Sequence, residues 1–233
     1  MTALVLLASI GSTAEAWEPQ LPALGGFEVV AVDHPGHGSA PVPAGAIGLA
    51  DLGRSVLAAL DERGLERAHV CGLSLGGAVA MWLAVNAPGR VDRLVLACTR
   101  AQFGDPTAWD ERAATVRAHG MAAIVDTVIE RWFTPAFGDR ARWRTMMASI
   151  DAEGYARCCE VLRDIDLRED VRRIAAPTLV LTGAEDATVS PEETALLVSR
   201  IPDARRVELA GAAHVANVER PGPFAVALLG HLA

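Results

Sequence analysis

Six short runs rich in Val, Leu and Ile recur along the chain, at residues 3–8, 27–32, 68–71, 91–97, 177–181 and 206–209, and none of them alternates cleanly with polar residues. A strand reads this way when both of its faces are buried, which is the situation in a parallel sheet covered by helices on each side. The stretches between the runs supply those helices, at 46–63, 75–86, 192–201 and 223–232. The repeated order of strand, loop and helix predicts an α/β fold with a mostly parallel, doubly wound sheet. With 233 residues, 51% of them hydrophobic, the chain can bury one sizeable core, which excludes a disulfide miniprotein, a fibre or a disordered tail.

Between residues 99 and 170 the pattern changes. No strand-like run occurs there, Arg, Trp and Ala recur at helical spacing, and Gly104, Pro106, Pro135 and Gly154 read as breaks. This predicts a core made of residues 1–98 and 171–233, with 99–170 inserted as a helical lid over the carboxyl ends of the strands, where open α/β sheets place their ligands.

The basic residues are all Arg, 21 against 29 acids, and the net charge of -8 is spread along the chain, which argues against a nucleic-acid or anionic-membrane partner. The four cysteines, at 71, 98, 158 and 159, form no Cys-x-x-Cys pair and no Cys/His group at zinc spacing, so neither a disulfide framework nor a metal site is expected. The opening MTALVLLASIGSTAEAW has a short apolar run, but no basic residue precedes Arg54, so it lacks the positive region of a secretion signal. No window reaches 18 apolar residues, so a membrane span is not expected, and a cytoplasmic location is expected.

The sharpest chemical signal is Gly72-Leu73-Ser74-Leu75-Gly76-Gly77, which follows a strand and opens a helix. A serine in a tight strand-to-helix turn is exposed for attack, and glycines two residues to either side let strand and helix approach closely. A serine hydroxyl needs a base to take its proton, and the base needs an acid to fix its tautomer. Of six histidines, His214 follows the last strand and a small-residue loop, on the same rim as Ser74; His69 falls inside a strand, His231 near the terminus and His119 in the inserted region. Asp186 stands just after the strand at 177–181, with its neighbour Glu185 as the rival acid. Serine, acid and histidine at 74, 186 and 214 follow the chain order this architecture requires. The amides of Leu75 and Ile10 are the expected oxyanion donors, the latter from the loop after the first strand, with Gly11 permitting a tight approach.

These residues together resemble the α/β-hydrolase superfamily, and within it the 3-oxoadipate enol-lactonases. The resemblance extends beyond the elbow to RWFTPAF (131–137), GYARCCEVLRDIDLRED (154–170), PTLVLTGAEDATVSPE (177–192) and GAAHVANVERPGPF (211–224). It implies Ser74 as nucleophile, Asp186 as acid, His214 as base, and hydrolysis of a small carboxylated lactone without a metal or organic cofactor. Such a substrate calls for a cation at the pocket, for which Arg131 and Arg100 are the candidates, with Trp132 as an apolar wall; Arg140, Arg142 and Arg144 read as a solvated helix face.

The chain departs from the family pattern in three places. Members carry a hairpin before the first strand, so the strand at 27–32 is expected at an exposed edge, either through a shortened start or under a second copy of the chain in a homo-oligomer. Pro35, in Asp33-His34-Pro35-Gly36-His37-Gly38, stands where Arg is common. Ala8 and Ser9 replace more usual residues of the oxyanion loop. Two alternatives stay open: another small-ester, thioester or carbon-carbon bond hydrolase with the same triad, and a ligand-sensing member that turns nothing over.

Overall fold

The computed structural model describes all 233 residues. In chain order the elements are β1 (Thr2–Leu7), β2 (Phe27–Val32), α1 (Leu49–Asp61), β3 (Ala68–Leu73), α2 (Leu75–Asn86) and β4 (Val91–Ala97). Then come α3 (Pro106–His119), α4 (Val125–Trp132), α5 (Arg140–Ala148) and α6 (Ala152–Asp164). The chain closes with β5 (Thr178–Gly183), α7 (Pro191–Arg200), β6 (Ala204–Leu209), α8 (Ala216–Glu219) and α9 (Pro221–Leu232). The six strands form one sheet in the order β2-β1-β3-β4-β5-β6, every pairing parallel. This is the α/β-hydrolase fold, and β2 lies at one edge.

The absence of alternation in the strand sequences has a direct structural cause. In β1, Ala3, Val5 and Leu7 join the core formed with α1 and α2, while Leu4 and Leu6 join a second, smaller core formed with Trp17 and with Phe224 and Leu228 of α9. Period-two side chains on an interior strand covered on both faces must be apolar at nearly every position, as in β1. The edge strand β6, contrary to the sequence reading, alternates, with Arg206 and Glu208 exposed beside Val207 and Leu209. The larger core runs on without interruption into α3–α6, so the inserted helices share apolar packing with the sheet layer below.

Two further features differ from the sequence reading. The first is the 3-10 stretch Ala14–Ala23, which was not foreseen; Pro19 and Pro22 remove amide donors and favour the tighter turn, and Trp17 is buried with its ring 5.9 Å from that of Phe224. The second is Gly154, which lies inside α6 rather than breaking it. A Cβ at Gly154 would stand 2.5 Å from the Gly36 Cα, so the glycine serves close helix-to-loop contact, which here outweighs its poor helix propensity. Pro106, by contrast, takes the first turn of α3, where a missing amide costs nothing.

Candidate active site

The turn between β3 and α2 places Ser74 at a backbone φ of 55°, ψ of -114°, an arrangement that L-residues adopt at a cost of roughly 1–3 kcal/mol. The strain is held by neighbours: the Ser74 amide donates to the Ala97 carbonyl at 3.0 Å, and the Ser74 carbonyl accepts from Thr99 Oγ1 at 2.7 Å. A Cβ on Gly72 would lie 2.2 Å from the Gly76 carbonyl oxygen, and one on Gly76 would lie 2.3 Å from the Leu7 carbonyl oxygen. Both glycines of the pattern are therefore required by close backbone approach.

His214 lies in the loop after β6 and is buried. Its Nδ1 is 2.9 Å from Asp186 Oδ2. The other oxygen of Asp186 accepts from the amides of Thr188 and Val189, at 2.8 and 3.2 Å, which orients the carboxylate. Burial by itself would raise the Asp186 pKa, but the facing His214 and these amides more than offset it and hold the carboxyl below its ordinary value. Glu185, the rival acid, is exposed to solvent. Glu219 ties the histidine loop to the inserted region, accepting from the Ala213 amide at 2.8 Å on one oxygen and from the Thr134 amide at 3.0 Å on the other. Nothing in the sequence pattern singled out this residue, since its role depends on two loops meeting.

Ser74 and His214 line one cavity of about 90 Å³, together with Ser9 and Ile10 from the loop after β1. The amides of Ile10 and Leu75 have no acceptor within the protein. Leu75 opens α2, so its amide also carries the positive end of the helix dipole.

The three substrate-side residues expected from the sequence all line this cavity, in different states. Trp132 is buried, and its carbonyl accepts from the Val215 amide at 3.0 Å, beside His214. Arg131 is exposed and pairs with no carboxylate, whereas Arg100 is bound to Glu193 at 2.8 Å, which neutralises much of its charge. Arg112 of α3, which sequence reasoning passed over, also lines the cavity without a carboxylate partner, its guanidinium 4.9 Å from the Trp109 ring centroid. Only packing reveals it, because of the two arginines of α3 Arg112 is turned to the cavity while Arg117 pairs with Glu153 and Glu160 on the surface. The Tyr155 hydroxyl, buried at the same cavity, has no hydrogen-bond partner.

Arg142 and Arg144 pair with Glu18 and Asp126 on the surface, and Arg140 donates to the Thr134 carbonyl. All four cysteines are free and buried. No helix is long and apolar enough to cross a membrane.

A sequence model described as "Alpha/beta hydrolase family" matches residues 4–227. The chain is 35% identical to 3-oxoadipate enol-lactonase 2 of Acinetobacter baylyi, over 95% of this chain and 85% of that protein. Among solved structures, a hydrolase from Pseudomonas aeruginosa superposes with a TM-score of 0.95 at 42% identity, covering 100% of this chain and 90% of that one. The enol-lactonase from Burkholderia xenovorans superposes with a TM-score of 0.96 at 35% identity, covering 99% and 91%.

Proposed function

Because the chain belongs to the alpha/beta hydrolase family, we propose that it is a cofactor-free serine hydrolase that opens 3-oxoadipate enol-lactone or a closely similar small carboxylated lactone. The observation that carries this reading is the hydrogen bond from His214 Nδ1 to Asp186 Oδ2, which leaves Nε2 as the free basic nitrogen in the cavity that His214 shares with Ser74.

In the proposed reaction Ser74 Oγ attacks the lactone carbonyl while His214 Nε2 takes the hydroxyl proton. The amides of Ile10 and Leu75 receive the oxyanion. Collapse breaks the ring C–O bond, the enolate oxygen leaves and is protonated from His214, and an acyl-serine remains. Water, deprotonated by His214, attacks the acyl carbon; collapse breaks the bond to Ser74 Oγ, which takes the proton back from His214, and the open acid is released. Asp186 keeps the imidazole in the required tautomer throughout.

The preference for a carboxylated substrate rests on Arg112 and Arg131, two guanidinium groups that line the cavity and have no carboxylate partner in the protein. Residues 99–170 act as the lid that bears these groups over the 1–98 and 171–233 core. The two named enol-lactonases, at 35% identity over most of their lengths, support the same substrate.

The test is the initial rate of ring opening of 3-oxoadipate enol-lactone, followed beside a neutral ester with wild type and Ser74→Ala. Efficient, Ser74-dependent turnover of the lactone over the ester is expected. Ser74-dependent turnover of the ester alone would keep the nucleophile and discard the substrate in favour of another small ester. Undiminished rates in Ser74→Ala would overturn the mechanism.

A further inference from the structure

The segment Asp33-His34-Pro35-Gly36-His37-Gly38, which the chemistry above leaves unused, runs behind the loop that carries Ile10. Three of its side chains hold that loop at regular intervals. His34 Nε2 donates to the Ala8 carbonyl at 2.8 Å, His37 Nε2 accepts from the Gly11 amide at 2.9 Å, and Asp33 Oδ1 accepts from the Ala14 amide at 2.7 Å. The Ala8 carbonyl also accepts from the Gly76 amide at 3.1 Å, so the loop is tied both to this segment and to the helix that starts at Leu75.

From this geometry we propose that His37 is a positioning residue for the oxyanion site: by accepting the Gly11 amide it fixes the peptide next to Ile10, leaving the Ile10 amide as the donor that meets the substrate oxygen. The inference rests on the reading of Ile10 as an oxyanion donor. A backbone amide beside a reacting centre is useful only if it is already aimed where charge will develop. Gly11 has a φ of 81°, a region that an unsupported loop with glycine leaves freely, so the hydrogen bond to His37 supplies an orientation that the backbone alone does not.

The tautomer follows from the two partners. His37 Nδ1 donates to the Pro35 carbonyl at 2.9 Å, so the ring proton is on Nδ1 and Nε2 is the acceptor. Full burial, with the neighbouring His34, lowers the His37 pKa to about 3, which keeps the ring neutral and Nε2 able to accept. Its ring is stacked on Tyr155, with centroids 6.3 Å apart and planes 23° from parallel, so α6 presses it against the loop. A histidine on the surface of this segment would do none of this, whereas His37 is wholly buried.

A pair of substitutions isolates the acceptor. In His37→Gln the side-chain oxygen can reach the position of Nε2, while in His37→Asn the shorter amide can satisfy Pro35 but not the Gly11 amide. For a small activated ester, His37→Asn should lose about 10²-fold in kcat with KM changed less than about threefold, and its affinity for a boronic acid that forms a tetrahedral adduct on serine should fall in parallel. His37→Gln should recover at least roughly tenfold of both losses. Hydrogen exchange at the Gly11 amide should accelerate in His37→Asn and not in His37→Gln. Equal kinetics and equal boronate affinity in the two folded variants, with turnover still dependent on Ser74, would overturn the role of His37 alone. Failure of wild type to bind the boronate, or full activity in Ser74→Ala, would overturn the underlying Ser74 reading and this inference with it.

Discussion

On the rim of the sheet, Ser74, Asp186 and His214 stand one, three and five residues beyond the ends of β3, β5 and β6, and the backbone around each is hydrogen-bonded to its neighbours. In the inserted helices, Arg112, Arg131, Trp132 and Tyr155 reach the same cavity from α3, α4 and α6, which are braced outside by exposed ion pairs such as Arg117 with Glu153 and Glu160. The rim leaves almost no freedom: adding a methyl at Gly76 collides with a main-chain carbonyl. The insertion is held by apolar burial and by surface charges that are each worth little. In the proposed reading, chemistry belongs to the part where backbone geometry is rigid, and selectivity to the part where side chains can be exchanged.

The contrast is broken most severely at the rim. Ser74→Ala should reduce kcat by about 10⁴–10⁶ with the fold retained, as followed by steady-state rates beside a thermal melt. Asp186→Asn should cost about 10⁴ in kcat by presenting the wrong tautomer of His214. Because the folded Asp186 carboxyl lies below its ordinary pKa, its contribution to stability is present above the unfolded value near 3.9 and is lost as pH falls through the lower folded value. Denaturant melts at neutral pH should therefore show wild type above Asp186→Asn, with the gap closing in acid; a gap independent of pH would show that the carboxylate charge is not what stabilises this loop.

Gly76→Ala should destabilise the whole protein by several kcal/mol, since the added Cβ meets backbone rather than a movable side chain. An unchanged melting temperature would refute the claim that the rim is rigid. On the insertion side, Arg112→Gln should lower kcat/KM for a carboxylated ester by about 10–100-fold more than for its neutral isostere. Equal losses on both substrates would move Arg112 from selectivity to general support.

The smallest effect is expected at Glu153, whose carboxyl Arg117 holds at a pKa of about 2. Glu153→Gln should cost at most ~1 kcal/mol, and less in high salt. That contribution is present above the ordinary glutamate value and fades as pH falls through about 2. A loss of several kcal/mol would mean the insertion depends on its surface charges after all.

What could be read from residues alone is what local physics decides. Runs that are apolar on both faces, such as those of β1 and β5, require a strand covered on each side. Their recurrence between helical segments was enough to read a parallel, doubly wound sheet, although β6 proved to be a half-exposed edge. Gly-x-Ser-x-Gly between a strand and a helix marked the strained turn, and α2 lies at the residues that the pattern implies. Asp186 and His214 were legible because each follows a strand end closely, which places both on one rim whatever the rest of the chain does. Position along the chain cannot decide which of the two arginines of α3 reaches the cavity, that Arg100 is already spoken for by Glu193, or that Gly154 lies against Gly36. Nor does it show that His37 meets Gly11 or that Glu219 joins two loops. Each of these is a contact between segments distant in sequence, created when the inserted helices and the segment after β2 pack over the rim, and its partners exist only once that packing is complete.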